Sequence, residues 1–308
     1  MKFPEEERVK RLIGRSPIQL TPLTGGCIAD VCRMDFEDGE KLVLKTGSAG
    51  AGLDLEGYML QYLASHSDLP VPEVLCANDD LLIMAYINAG SPLTPAAQEH
   101  AADLLASLHN IVVDRFGFEK DTVIGSLRQP NPWTKDWVEF FRDQRLIYMA
   151  EEAVKSGSLK PSSLSRIETL CAQLDRWLLT PVQASLIHGD MWGGNILCKD
   201  GRIAGFVDPA IYYADPEIEL AFSTLFDTFG SRFFNRYAEH RPFLPGFFEE
   251  RRDIYNLYPL LVHSNLFGGS YAARVEAILT RFGFWAIFKW LSLEMTPPPL
   301  FFIKCEGH

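Results

Sequence analysis

The segment "SLIHGDMWGGNILCKDGRIAGFVDP" (residues 185–209) decides how the fold is interpreted. Within it, "HGDMWGGNIL" (188–197) places an aspartate and an asparagine five positions apart, with two adjacent glycines between them. The flanking apolar runs "SLI" and "NIL" predict ends of buried strands, and "RIAGFVD" predicts a further strand that ends at Asp208. We therefore expect Asp190, Asn195 and Asp208 to lie together at strand ends.

These three side chains suit phosphoryl transfer. Carboxylate and amide oxygens are hard ligands for Mg²⁺, which keeps few protein ligands beside substrate phosphates. Phosphoryl transfer also needs a carboxylate to orient and deprotonate the attacking hydroxyl. The spacing of Asp190 and Asn195 is that of the kinase catalytic loop, with Gly189 where protein kinases usually carry arginine. The alternative is a glycine-rich turn in which Asn195 is only a cap.

Composition narrows the class of protein. The chain has 308 residues, 47% hydrophobic and 22% charged, with a formal net charge of −11, as expected of a folded and acidic globular protein. Nucleic-acid binding is not expected, because it depends on lysine and arginine neutralising phosphates. Six scattered cysteines without a CxxC pair, and a charged N-terminus without an apolar signal region, predict a cytoplasmic location. No membrane span is expected, since "FGFWAIFKWL" (282–291) is too short and is interrupted by a lysine.

The N-terminal residues 1–87 predict a small, β-rich lobe. "ERVKRLIG" (7–14) and "LDLEGYMLQYLASHS" (53–67) have helical apolar spacing, and Asp38-Gly39 predicts a hairpin turn between two strands. Two more strands are predicted in "VPEVLCAND" and "DLLIMAYI". The turn-rich "NAGSPLTP" (88–95) is the predicted linker.

The remainder, 96–283, predicts a larger and mostly helical lobe that contains the β-rich segment 185–209. The pattern is therefore α+β with two lobes. Helices are predicted at 96–110, 133–155, 160–179, 215–229, 246–265 and 270–283.

Further candidate residues lie in the small lobe. Gly25 and Gly26 stand between two predicted strands, where backbone N–H groups can approach phosphates. Lys45 ends the strand "KLVLK", and Glu56 lies on the next helix, within reach of a pairing. Considered singly, a glycine pair more often marks a bend than a phosphate site, and a lysine at a strand end is more often a solvated charge than a ligand-binding residue. Their order along the chain is unlikely to arise by chance: glycine loop, lysine, glutamate, linker, D-x4-N and aspartate.

Longer stretches carry a family resemblance. They are "LHNIVVDRFGFEKDTVIGSLRQPNPWTKDWVEFFRDQRL" (108–146), "HGDMWGGNIL", "GFVDPAIYYADPEIELAF" (205–222) and "LYPLLVHSNLFGGSY" (257–271). In these, and over about residues 1–283, the chain resembles the fructosamine kinases. This family belongs to the aminoglycoside-phosphotransferase-like small-molecule kinases, which have a two-lobed protein-kinase-like fold. Segment 108–146 is the specific part, because the catalytic loop alone indicates only a kinase.

The resemblance implies roles in catalysis. Asp190 would be the base that accepts the proton of the sugar hydroxyl, and Asn195 and Asp208 would hold Mg²⁺. Lys45, held by Glu56, would bind the α- and β-phosphates of ATP.

It also implies a nucleotide site. Gly25 and Gly26 would belong to the loop that covers the phosphates, and backbone groups of Ala85, Tyr86 and Ile87 would hold the adenine. His188 would support the catalytic loop by hydrogen bonds.

Two positions depart from the family pattern. Ala85 stands where relatives commonly carry an acidic hinge residue, which matters little if the adenine is held by backbone groups. Glu219 replaces the usual aspartate that braces the catalytic loop, so this bracing contact is in question.

The substrate of such a kinase is a ketose joined to an amine. Its pocket should offer a carboxylate for the amine and an apolar wall for the carrier chain. Trp192, inside the catalytic loop, is the candidate for that wall. Trp133 and Trp137 are weaker candidates, because helical spacing with two following phenylalanines fits core packing equally well.

Two other features stand apart from the kinase pattern. Cys27 lies in the predicted phosphate loop, where its thiol pKa would be lowered, which suggests redox sensitivity; the alternative is a small residue filling a turn. The apolar tail 284–308 has no counterpart in the family, and its final "EGH" suggests the remnant of a tag.

The sequence thus predicts an ATP- and Mg²⁺-dependent kinase of free or protein-bound ketosamines, acting at the sugar 3-hydroxyl in protein deglycation. A kinase of the same fold acting on an aminoglycoside, choline or another hydroxyl metabolite is the alternative. A second alternative is an inactive nucleotide-binding scaffold, against which the complete set of candidate catalytic residues argues.

Overall fold

The computed structural model describes residues 5–23, 29–178 and 182–283 and divides them into two lobes. The small lobe contains α1 (Glu6–Ile13), β1 (Gln19–Pro22), β2 (Asp30–Asp35), β3 (Lys41–Thr46), α2 (Leu53–His66), β4 (Val74–Asn78) and β5 (Leu81–Ala85). The large lobe contains α3 (Pro95–His109), β6 (Val112–Val113), β7 (Thr122–Ile124), β8 (Leu127–Gln129), α4 (Trp137–Phe141), α5 (Tyr148–Lys155), α6 (Pro161–Cys171), β9 (Ala184–Ile187), β10 (Ile196–Lys199), β11 (Arg202–Phe206), β12 (Tyr212–Ala214), α7 (Glu217–Thr224), α8 (Ser231–His240), α9 (Arg252–Phe267) and α10 (Tyr271–Arg281). This is the predicted α+β, two-lobed architecture.

The small lobe is built on an antiparallel sheet with strand order β1-β2-β3-β5-β4. The β2–β3 hairpin turns at Gly39, whose φ of +85° confirms the predicted Asp38-Gly39 turn. Side chains of a strand alternate between the two faces of the sheet. On β3, Leu42 and Leu44 therefore pack with α1, while Val43 packs on the side of α2. Lys45 shares the face of Val43 and is directed towards α2.

The large lobe has one extended apolar core formed mainly by α3, α4, α7 and α9. The predicted helix 133–155 begins later, at Trp137, because Asp136 caps it by accepting a hydrogen bond from the Glu139 N–H at 2.9 Å. Residues Arg142–Ile147 form a π-helical turn between α4 and α5.

The structure confirms strands in the predicted β-rich segment 185–209, but these strands belong to two separate sheets. β9 pairs with β6 and β12, whereas β10 and β11 form a separate hairpin. The short strands β6, β7 and β8 and the helix α8 were not predicted. Strands of two or three residues are too short to show an alternating pattern, which explains why the first three were missed.

The two lobes also contact each other through α2. Tyr62 lies with its hydroxyl oxygen 3.0 Å from that of Tyr213, and its ring packs edge-on against Phe118 with a centroid distance of 4.8 Å. Across the described residues, no helix is long and apolar enough to cross a membrane.

Candidate active site

The catalytic-loop candidates lie on the connection between β9 and β10. The Asn195 side-chain amide donates to both the backbone carbonyl and the carboxylate of Asp190, each at 2.9 Å. The backbone N–H of Val207 donates to the Asn195 carbonyl at 3.1 Å, and that of Ala210 donates to the His188 carbonyl at 2.7 Å. The loop is thus fixed against the residues that carry Asp208.

Gly189 is required at the start of this loop. Its φ is +87°, and a Cβ added there would lie 2.0 Å from the Ala210 carbonyl oxygen. A side chain is excluded both by the left-handed conformation and by this close backbone contact. The glycine that replaces the protein-kinase arginine is therefore imposed by the packing of the loop.

Glu219 supplies the bracing contact that the sequence left in question. Its carboxylate accepts the backbone N–H of Gly189 at 2.7 Å and contacts His109 Nε2 at 2.8 Å. On the other side of the ring, His109 Nδ1 lies 2.7 Å from the Tyr237 hydroxyl. Both ring nitrogens of His109 thus have a polar partner, with the Nε2–H donating to the carboxylate. Glu219 therefore performs the bracing in place of the usual aspartate.

Asp208 connects the two lobes. It has φ +55°, in the left-handed region, which aspartate tolerates better than most residues. Its carboxylate contacts Lys45 Nζ. Lys45 also donates to Glu56 Oε1 at 2.7 Å, which is the pairing expected from their places at the strand end and on the next helix. The structure thus brings Lys45, Glu56, Asp190, Asn195 and Asp208 together around one cavity.

The electrostatics of this cluster favour a bound cation. Burial raises the pKa of Asp190 to about 7, and the Asp208 carboxylate adds to the shift. Burial lowers the pKa of Lys45, but Glu56 and Asp208 more than offset this and hold it above its ordinary value. Three carboxylates beside a single ammonium leave a net charge of −2 when all are ionised. A divalent cation would compensate that charge.

The ligand set fits Mg²⁺. Asn195 directs its amide nitrogen to Asp190, and among the described residues no donor reaches its side-chain oxygen. That oxygen and the Asp208 carboxylate are two hard ligands, enough for a cation that completes its shell with water and phosphate oxygens. In the part of the chain that the structure describes, no cluster of three His, Cys, Asp or Glu side chains forms an all-protein metal site.

The hinge residues offer fewer donors than expected. The N–H of Ala85 donates to the Glu73 carbonyl at 2.8 Å, and that of Tyr86 to the Lys41 carbonyl at 3.2 Å. Within the described ranges, no acceptor is found for the N–H of Ile87. Of the three predicted positions, Ile87 is therefore the one that can donate to an adenine ring. Gly25, Gly26, Cys27 and the tail 284–308 lie outside the described residues.

Trp192 lines the cavity beside Asp190, as predicted for the apolar wall. Its ring packs over Gly194, where an added Cβ would lie 2.3 Å from the indole. Gly194 thus makes room for the tryptophan. Among the described residues, the carboxylates that line the cavity are those of the catalytic cluster, so the expected additional carboxylate for the substrate amine is not found there.

The other two tryptophans must be reassigned. Trp137 is only 1% exposed, stacks on Phe140, and donates its indole N–H to the Tyr255 hydroxyl at 2.9 Å. Its predicted substrate role is wrong, because the ring is part of the large-lobe core. Trp133 lies outside the cavity lining, with the Arg115 guanidinium 4.6 Å from its ring centroid.

Several cavity residues were missed by sequence reasoning. The strand β7 with its following turn, together with α9 and α10, adds Val123, Ile124, Gly125, Val262, His263, Leu266, Phe267 and Tyr271. These residues lie in the quoted stretches 108–146 and 257–271, which were recognised as part of the family resemblance without a role in the site.

These features define a kinase of the protein-kinase-like fold: a D-x4-N loop, a strand-end lysine paired with a helical glutamate, and an aspartate that faces both. Comparison with known proteins specifies which kind. The family model for fructosamine kinases matches residues 7–282, and the chain belongs to this family. It is a phosphotransferase that acts on a hydroxyl group.

Two relatives extend this comparison. A probable ketoamine kinase from Synechocystis is 31% identical over 83% of this chain and 88% of its own length. A chloroplastic protein-ribulosamine 3-kinase from Arabidopsis thaliana is 30% identical over 83% of this chain and 79% of its own.

Solved structures agree with the fold. A protein from Thermobifida fusca, provisionally described as a fructosamine-3-kinase, superposes with a TM-score of 0.77 at 30% identity, covering 90% of this chain and 99% of its own. A gentamicin complex of the aminoglycoside phosphotransferase APH(2")-IIa has a TM-score of 0.65 at 17% identity, covering 91% and 96%. At that identity the likeness shows the shared fold alone.

Proposed function

We propose that this fructosamine-type kinase transfers the γ-phosphoryl group of Mg-ATP to the 3-hydroxyl of a ketosamine. The observation that carries the proposal is the convergence of Lys45, Asp190, Asn195 and Asp208 on one cavity of about 450 Å³. The 3-position is supported by the name of the Arabidopsis relative, a protein-ribulosamine 3-kinase.

Each of these residues has a separate role in the proposed reaction. Lys45, oriented by Glu56, binds phosphate oxygens of ATP, and Asn195 and Asp208 hold Mg²⁺, which neutralises charge on the phosphates. Asp190 orients the sugar hydroxyl and accepts its proton, and a pKa raised towards 7 suits a base that works near neutral pH. Most of the rate enhancement comes from positioning and charge neutralisation.

A role in deglycation follows from the product. A phosphate at C3 is a much better leaving group than a hydroxyl. After enolisation across C1 and C2 it leaves as inorganic phosphate, and water then hydrolyses the resulting imine to the unmodified amine and a 3-deoxy dicarbonyl sugar. The proposed substrates are therefore sugar adducts of small amines or of protein lysines.

A substrate panel tests this proposal. ATP turnover is measured with a ribulosamine, a fructosamine, an aminoglycoside and choline, each with Mg²⁺ and with EDTA, and the phosphorylated carbon is located by NMR. We expect Mg²⁺-dependent turnover of the ketosamines, with phosphate on C3. Turnover of the aminoglycoside or choline alone would assign a different acceptor, and nucleotide binding without any turnover would indicate a scaffold.

Asp190→Asn provides the mechanistic test. Loss of a general base lowers kcat by about 10²–10⁴-fold, while the dissociation constant for Mg-ATP should change little. Asp114→Asn is the matched control, since the Asp114 side chain is 82% exposed. Full activity in the Asp190 variant would contradict the assignment of the base.

A further inference from the structure

The active-site cavity continues beyond the catalytic cluster along an aromatic surface of the large lobe. We define the aromatic wall as Phe226, which follows α7, His263 and Phe267 on α9, and Tyr271 on α10. All four line the same cavity as Asp190. Lys45 and β2 line the small-lobe side, where ATP is proposed to bind, so the wall lies on the acceptor side.

The rings form a continuous path away from the catalytic loop. Trp192 lies 6.1 Å from Phe226 between ring centroids, and Phe226 lies 5.0 Å from His263. His263 is in turn 5.6 Å from Phe267 and 5.1 Å from Tyr271. Phe267 is 48% exposed, so the path leads from the reacting hydroxyl to solvent.

The side chains of the wall carry no charge while His263 is neutral, but Arg274 lies beside the wall, where its guanidinium donates to the Leu225 carbonyl at 3.4 Å and its positive charge acts on His263. His263 Nδ1 lies 2.7 Å from the Pro259 carbonyl, which requires a proton on Nδ1 and leaves Nε2 as an acceptor in the neutral ring. Burial also lowers the pKa of His263. The remaining wall residues are aromatic hydrocarbons and a phenol, and the charged residues among the described cavity lining all belong to the catalytic cluster.

We propose that the aromatic wall binds the nitrogen substituent of the ketosamine and favours apolar or aromatic substituents over small ones. This rests on the proposed function and specifies the substrate class within it. With the sugar hydroxyl at Asp190, a substituent on the sugar amine that extends towards solvent runs along these rings. Burial of apolar area then adds binding energy in proportion to the size of the substituent. For a glycated lysine, the same wall favours apolar neighbours in the peptide.

A series of substrates with one sugar and different amines tests the preference. The ribulosamines of phenethylamine, hexylamine and methylamine are compared by kcat/KM at saturating Mg-ATP. We expect phenethylamine and hexylamine adducts to exceed the methylamine adduct by about tenfold, a typical effect of a few buried carbon groups. Equal kcat/KM across the series would overturn the inference while leaving ketosamine phosphorylation intact. Absence of turnover for every member would instead refute the proposed function.

Variants locate the preference on the wall. Phe267→Ser and Tyr271→Ser should lower kcat/KM for the phenethylamine adduct at least fivefold more than for the methylamine adduct. The matched control is Phe248→Ser, since Phe248 is another surface phenylalanine, 39% exposed, in a separate aromatic cluster beside Phe243. An equal loss for both adducts in the wall variants, or the same selective loss in the control, would contradict the assignment.

Discussion

At the scale of the residue, the catalytic loop depends on one buried carboxylate that lies outside it. Glu219 is 2% exposed and holds both the Gly189 N–H and His109. The contact with His109 joins residues 110 positions apart, on α7 and α3. No local pattern can indicate such a contact, because it depends on how the two helices approach each other. The sequence could therefore show that a glutamate replaces the usual aspartate, but not whether this glutamate braces the catalytic loop.

Glu219→Ala should strongly destabilise the protein and disturb the loop. It leaves the Gly189 N–H and the His109 Nε2–H buried without an acceptor, at a cost of about 2–5 kcal/mol. The free energy of unfolding is measured by urea titration, and kcat is measured alongside it. Glu168→Ala, at an exposed position on α6, should change stability by less than about 0.5 kcal/mol. A similarly small change for Glu219→Ala would show that the brace contributes nothing.

At the scale of the element, α2 is held from both sides. Its Glu56 pairs with Lys45 on β3, while Tyr58 and Tyr62 pack against Phe118 of the large lobe, with centroid distances of 6.3 and 4.8 Å. The segment around Phe118 belongs to the stretch 108–146 that distinguishes the chain from generic kinases. We infer that this stretch keeps α2, and with it the Lys45–Glu56 ion pair, in the position that phosphate binding needs.

Phe118→Leu should loosen this support. The smaller side chain fills the space between α2 and the large lobe incompletely, at a cost of about 1 kcal/mol. We expect faster hydrogen exchange in residues 53–66 and a higher KM for Mg-ATP. Phe248→Leu, at a surface cluster remote from α2, should leave both unchanged. Unaltered exchange in α2 of the Phe118 variant would contradict this account.

The elements also show where sequence patterns suffice. Lys45 at the end of a strand and Glu56 on the next helix stand in the order found in kinases, and this order, with the family resemblance, predicted the pair that the structure confirms. The spacing of Trp137, Phe140 and Phe141 was compatible with a core and with a pocket, and only the tertiary position of α4 decided for the core. Helix α8 did carry a signal, since its buried Phe233 and Tyr237 are four residues apart.

At the scale of the whole molecule, the charged cluster joins the lobes. Lys45 belongs to the small lobe and Asp208 to the large one, and their contact crosses the cleft. In the proposed complex Lys45 would hold phosphate oxygens of the nucleotide and Asp208 would hold Mg²⁺, so that each lobe contributes one of these residues to ligand binding. Ligand binding and the relative stability of the two lobes are therefore expected to be coupled.

Thermal unfolding can measure this coupling. At about 100 times its dissociation constant, Mg-ATP should stabilise the protein by about 2.7 kcal/mol, and ATP with EDTA should stabilise it less. Lys45→Met should lose most of the shift, whereas Lys155→Met should keep it, because Lys155 is an exposed residue on α5 paired with Glu152. Equal shifts with Mg²⁺ and with EDTA would argue against a metal held by Asn195 and Asp208.

Gly189 has a consequence for how this enzyme can be controlled. Protein kinases that are switched on by phosphorylation use arginine side chains to capture the phosphorylated loop, and position 189 is where they usually carry an arginine. Here the Ala210 carbonyl occupies the space that the first carbon of any side chain would need. No single substitution can introduce that arginine without rebuilding the loop. Control through a phosphorylated loop that binds an arginine at this position is therefore excluded for this chain.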